Sequence, residues 1–264
     1  MSGVALWVVD RPESRVFLFG EAVGLRDRGW MSDELRSAVE SSRELWREAD
    51  RAAVSASPLL VQYALAREPL SQRLDEHQLG RVEEVARAVG LDPATLADLR
   101  PWVVGQLLDG AMRAQAGYDL AHSVDEVLTG LAAAAGIPVR YEVGDAEGAL
   151  SWFDGLGPEL EVDYLLWTVE RVAAGSDQVD RHVEAWRRGD LSVAEAEGRA
   201  TRRHYPVLHE RLLVDRNRAW VPRIEAMLGE PGAAFVAVGN LHLVGEASVP
   251  ACLAAAGLPA VRLR

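Results

Sequence analysis

A chain of 264 residues with 49% apolar and 26% charged side chains can bury a full core, and its formal charge of −12 excludes the basic stripe that nucleic-acid binding needs. All 28 basic residues are arginine, which excludes chemistry that depends on a lysine amine, such as Schiff-base formation or a P-loop. The single cysteine, Cys252, excludes an intramolecular disulfide and a multi-cysteine zinc site.

The N-terminus runs from Met1-Ser2-Gly3 straight into an apolar stretch, with no basic n-region and no small-residue cleavage site. No segment approaches the ~20 apolar residues of a membrane span, so the expected setting is cytoplasmic. Residues 6–9 and 15–19 read as two antiparallel strands joined by the turn-forming Asp10-Arg11-Pro12-Glu13-Ser14. The second strand runs into a glycine turn at Gly20-Glu21-Ala22-Val23-Gly24. Ser32 caps a helix with Leu35, Ala38 and Val39 on one face. Residues 44–50 fit a strand and a helix continuation equally well.

From about residue 58 to 135 the pattern is helical, punctuated by Gly90, Asp92-Pro93, Pro101 and Gly117 and stopped by Gly136. Residues 137–142 read as a strand ending at Glu142. Helical spacing resumes after Asp145 and continues to Gly229, with Trp152, Trp167 and Trp186 as core groups. The last long helix contains Arg216-Asn217-Arg218-Ala219-Trp220. Residues 233–238 are too short and too uniformly apolar for a surface helix and read as a buried strand. Gly239 turns the chain, His242 follows just outside the strand end, and Ser248 and Gly257 bracket a short helix before a closing strand near Val261. The expected fold is α/β (α+β): one domain over residues 1–264, its central mixed sheet built from the N- and C-terminal segments around a large helical insertion.

A histidine beyond a strand's carboxyl end lies where open α/β sheets bind ligands. The other five histidines, His77, His122, His182, His204 and His209, lie in polar helical contexts and lack the i, i+4 spacing of a helical zinc motif. Glu142 and Glu48 share the sheet edge with His242 if their strands run parallel to its strand, and a carboxylate there can ligate a metal or act as a base. Arg216 can stabilise an oxyanion. The plain alternatives are a structural histidine, solvated strand ends and a surface arginine.

These motifs, in this order, resemble the TraB/PrgY/GumN family, relatives of the Tiki peptidases and more distantly of ChaN-like and erythromycin-esterase-like proteins. The resemblance runs from Leu6-Trp7 and Val16-Phe17-Leu18-Phe19-Gly20 through Glu48-Ala49-Asp50, Arg100-Pro101-Trp102 and Ser123-Val124-Asp125-Glu126. It continues through Tyr141-Glu142, Trp186-Arg187-Arg188-Gly189-Asp190 and Arg216-Asn217 to Val238-Gly239-Asn240-Leu241-His242. It implies a hydrolase whose site is built from two Gly-x-x-His motifs, at Gly20 and Gly239, and a glutamate. In the Tiki branch that site uses a divalent metal (Mn, Co or Zn); in the esterase branch a His/Glu pair activates water without one.

Carried over by position, His242, Glu48 and Arg216 are the catalytic candidates, and His242, Glu48, Glu142 and Glu21 the metal candidates. The first motif departs from the family: Gly20-Glu21-Ala22-Val23 ends in a residue that can neither ligate a metal nor move a proton. Three readings follow: a hydrolase with an altered site acting on a small molecule or peptide, an inactive relative that keeps the pocket as a binding or regulatory module, and a plain scaffold. The helical segment either covers the site or forms a contact in a homo-oligomer.

Overall fold

A computed structural model describes residues 3–22, 25–119 and 122–263. The chain divides into two compact units, one made of Met1–Glu48, Asp119–Glu142 and Asp180–Arg264, the other of Ala49–Tyr118 and Val143–Val179.

The first unit carries a six-stranded mixed sheet. Its strands are β1 (Leu6–Arg11), β2 (Ser14–Glu21), β3 (Ser42–Arg47), β4 (Val139–Tyr141), β5 (Gly232–Gly239) and β6 (Val261–Arg262), in the order β4-β3-β5-β2-β1-β6. β1 and β2 form the antiparallel hairpin, while β2, β5, β3 and β4 are all parallel, so four carboxyl ends share one edge. The fold is therefore α/β, with five of the six strands from the two ends of the chain and β4 from its middle. The ambiguous stretch after residue 41 is a strand: the helix Asp33–Glu40 ends at Ser41 and β3 begins at the next residue. The Asp50 carboxylate accepts from Ala53 N–H and starts a new helix, which leaves Glu48 in a two-residue link beyond the strand end.

β5 is buried on both faces, which explains its uninterrupted apolar run. Phe235 and Ala237 face a core with Phe17, Phe19, Leu45, Leu128 and Trp186, and Val236 and Val238 face another with Trp46, Trp220 and Leu253. The helix Val124–Ala134 covers the first face. The helices Asp215–Met227 and Val249–Ala255 cover the second, where Trp46 meets Trp220 edge-on at 5.4 Å. The expected helical span of about 58–135 thus divides, since Val124–Ala134 belongs to the sheet unit.

The other unit is helical, with Glu76–Ala88, Pro101–Gln115 and Pro158–Ala173 as its longer elements. Trp102 stacks on Phe153 at 4.6 Å over the buried Leu150, and Arg100 pairs with Glu161 and Asp154. Among the described residues no helix is long and apolar enough to cross a membrane.

Candidate functional site

The parallel strands deliver three acidic or glycine positions to one edge. Glu48 follows Arg47, the last residue of β3, and Glu142 follows Tyr141, the last of β4. Glu142 N–H donates to Arg47 C=O at 2.8 Å, extending the ladder by one bond and fixing the two glutamates side by side. Gly239, the last residue of β5, donates its N–H to Glu48 Oε1 at 2.6 Å. A Cβ on Gly239 would lie 3.3 Å from that same oxygen, so glycine here permits close approach rather than an unusual backbone angle. The chain then makes a single 3-10 turn, Asn240–Leu243, which turns the His242 ring inward to 5% exposure.

The tautomer of His242 follows from its neighbour. Asn217 Nδ2 donates to Ala247 C=O at 2.8 Å, so Asn217 Oδ1 is the end that accepts, and it lies 2.6 Å from His242 Nδ1. Nδ1 therefore carries the hydrogen and Nε2 keeps a lone pair. That lone pair points at 3.4 Å to Arg216 Nη1, and Nε2 lies 3.8 Å from Glu48 Oε2. Trp220 packs against the imidazole, with ring centroids 4.5 Å apart.

Arg216 is the hub. Its Nε and Nη2 donate to the two oxygens of Glu142, the Nε contact at 3.2 Å, and Nη2 also donates to Glu48 Oε2 at 2.6 Å. Nη1 reaches Leu212 C=O at 3.5 Å and His242 Nε2. All five guanidinium N–H groups thus have acceptors. Its Cζ lies 5.0 Å from the Trp220 ring, one helical turn further on. Immediately upstream the helix widens into a π turn, Glu210–Val214, between the α-helical Pro206–His209 and Asp215–Met227. Such insertions re-aim the residues that follow them and are frequent at functional sites.

The electrostatics follow from this enclosure. Burial alone would raise the Glu48 carboxyl, but the Arg216 charge and the Gly239 N–H outweigh it and hold the group well below the usual carboxylate range. Burial lowers Arg216, yet the two glutamates more than compensate and fix its positive charge. His242 is pushed down to about 3, by burial first and by Arg216 as well, against the opposing pull of Glu48. The imidazole is neutral at neutral pH.

Of the residues singled out in the sequence, Glu48, Glu142, Arg216 and His242 come together. Glu21 does not join them. It lies at the end of β2, and its two oxygens take Arg47 Nε at 3.1 Å and Nη2 at 3.2 Å. Arg47 precedes Glu48, and strand alternation sends their side chains to opposite faces of the sheet. Arg47 also pairs with Asp125 and donates to Thr129 Oγ1 at 3.1 Å on the covering helix. Gly20 supports the second motif directly: a Cβ there would come within 2.7 Å of Asn240 Oδ1 and 3.3 Å of Asn240 Cα. Val23 lies outside the described residues. Asn217, Trp220, Arg47 and Asp125 carry site geometry that the sequence reading did not assign. Asn217 had one signal available, as one of only two asparagines in the chain.

The divalent metal implied by the family resemblance does not fit this donor set. Both oxygens of Glu142, both of Glu48 and the Nε2 lone pair already face N–H groups of Arg216 or Gly239. Among the described residues no group of three or more His, Cys, Asp or Glu side chains converges as a metal site.

The chain is similar to the uncharacterized protein YbaP of Escherichia coli (strain K12), 24% identical over 236 residues, spanning 88% of this chain and 84% of that protein. YbaP of Shigella flexneri matches to the same extent. No solved structure matches significantly. The sequence profile of the TraB/PrgY/gumN family matches residues 5–262, nearly the whole length, and the chain is a member of that family.

Proposed function

We propose that the cluster at the carboxyl edge is a hydrolytic site in which water is activated between His242 and Glu48. The observation that carries this reading is the His242 Nε2 lone pair, left unprotonated by the Asn217 bond and set 3.8 Å from Glu48 Oε2. A water that displaces the 3.4 Å Arg216 Nη1 contact from Nε2 is held by both of its hydrogens between Nε2 and Glu48 Oε2, which turns its oxygen lone pairs outward toward a substrate carbonyl. As the oxygen attacks and the carbonyl C–O bond forms, one water proton passes to Nε2 or Oε2; the tetrahedral oxyanion then collapses, the bond to the leaving group breaks, and that proton is handed to the leaving alkoxide or amine. Arg216 acts as a positioning residue, because its N–H groups are already spent on the glutamates, Leu212 and His242. The substrate class is a small ester, amide or peptide.

A separate observation favours a second reading, an inactive family member that keeps the cluster as a binding or regulatory module. An imidazole lowered to about 3 is a weak base, and the first motif ends in Val23 where the family resemblance implies a histidine. A hydrolysis screen with chromogenic esters and peptides, with and without Mn, Co and Zn, separates the two. Turnover that falls at least tenfold in both His242→Ala and Glu48→Gln supports the hydrolase. Turnover that survives His242→Ala overturns it, and its absence throughout leaves the binding module.

A further inference from the structure

We infer that Arg216 is the resident cation of this site: its guanidinium takes the place a divalent ion would occupy among Glu48, Glu142 and His242, and the wild-type protein does not take up such an ion there. A divalent metal needs carboxylate oxygens and an imidazole nitrogen converging within ~2.0–2.2 Å of one point. Here those atoms converge on the guanidinium instead. Glu48 Oε2 is 2.6 Å from Nη2, Glu142 Oε2 also takes Nη2, and His242 Nε2 is 3.4 Å from Nη1. A metal ion entering this space would meet a like charge and would find its ligands already hydrogen-bonded.

Displacing the guanidinium is opposed by two further contacts and by the helix geometry. Nη1 is tied back to Leu212 C=O at 3.5 Å, Cζ lies 5.0 Å from the Trp220 ring, and the π turn Glu210–Val214 sets the aim of the helix that carries it. The sequence points the same way, since the first motif reads Gly20-Glu21-Ala22-Val23 where the family resemblance implies a histidine. A cation attached to the backbone at this position competes with solvent cations for the glutamates as an intramolecular ligand with a high effective concentration. The inference concerns the same cluster as the proposed hydrolysis but rests on donor geometry, so metal uptake and turnover are read independently.

The test is a titration of the full-length, chelator-treated protein with Mn²⁺, Co²⁺ and Zn²⁺ separately, followed by calorimetry and, for Co²⁺, by visible absorption. Wild type is expected to show no 1:1 site up to about 1 mM metal. Arg216→Met is expected to gain one 1:1 site at least tenfold tighter than wild type, and Arg216→Met combined with His242→Ala to lose it. A stoichiometric wild-type site that disappears in His242→Ala overturns the inference, as does a folded Arg216→Met protein with no gain. Should Arg216→Met fail to fold, Arg216→Gln, which removes the charge but keeps polar contacts, takes its place under the same criteria, and the wild-type titration decides alone if neither folds. Metal-dependent turnover in a wild type that binds no metal at this cluster would locate the activity elsewhere without altering the metal result.

Discussion

Two arginines at the carboxyl edge of the sheet each clasp a pair of carboxylates, on opposite faces. Arg47 holds Glu21 and Asp125; Arg216 holds Glu142 and Glu48. The ionic arrangement is nearly the same, and in both every guanidinium N–H has an acceptor. What differs is the border. The Arg47 set closes on Thr129 and on the Asp125 main chain beneath a helix, with side chains 5–11% exposed. The Arg216 set closes on the lone pair of a histidine, and Glu48 is 28% exposed. An ion-pair network is structural when its perimeter is saturated. It becomes a candidate for chemistry when its border includes a long contact to a titratable ring, 3.4 Å here, beside a carboxylate within reach of solvent.

The largest expected effect tests that contrast through stability. Arg47→Met strands two buried carboxylates and should cost about 3–5 kcal/mol in a urea unfolding series. Arg216→Met should cost less, about 1–3 kcal/mol, because its glutamates can regain water. Equal losses would break the comparison. Next in size, Asn217→Leu leaves His242 Nδ1 without its acceptor in a buried setting and should cost about 1–3 kcal/mol. The same variant should shift the ¹⁵N resonances of the His242 ring from a single Nδ1–H tautomer to a mixture; an unchanged spectrum would mean that Asn217 does not set the tautomer.

The smallest effect per step is a pH slope. His242 titrates near 3 in the fold against an ordinary 6.5, so between those values the unfolded chain binds a proton that the native state refuses. Stability is therefore complete above pH 6.5 and falls as the pH drops toward 3, by at most about 1.4 kcal/mol per unit. Comparing wild type with His242→Gln between pH 6.5 and 5 isolates this contribution above the range where ordinary carboxylates titrate. Parallel unfolding curves across that window would show that His242 is not shielded as its enclosure implies.

Much of the fold was legible because its signals are local. The apolar runs of β1, β2 and β5 and the caps at Ser32, Asp92 and Ser248 lie where the chain turns or straightens. β3 was not legible, since Ser42-Arg43-Glu44-Leu45-Trp46-Arg47 mixes polar and apolar groups and has a register shift between Ser42 and Leu45. At the site, residue types and strand ends pointed to Glu48, Glu142 and His242. Glu21 was a candidate by type and position, but its carboxylate is taken by Arg47. The sequence could not say that Arg216 would exhaust its donors on the neighbouring glutamates, because that depends on the π turn that aims its helix. The scarcity of asparagine singled out Asn217, but not its role, which comes from a contact 25 residues away.

The placement of β5 has a consequence for biosynthesis. Residues 232–239 enter the middle of the sheet, pairing with β2 on one side and β3 on the other. Until that segment has left the ribosome, β2 and β3 each present an unpaired strand edge, and the loop to be closed between β2 and β5 is long. Nascent chains stopped before residue 232 should therefore be clients of holdase chaperones and prone to edge-to-edge association. Glu48 and His242 meet only after β5 has joined the sheet between them.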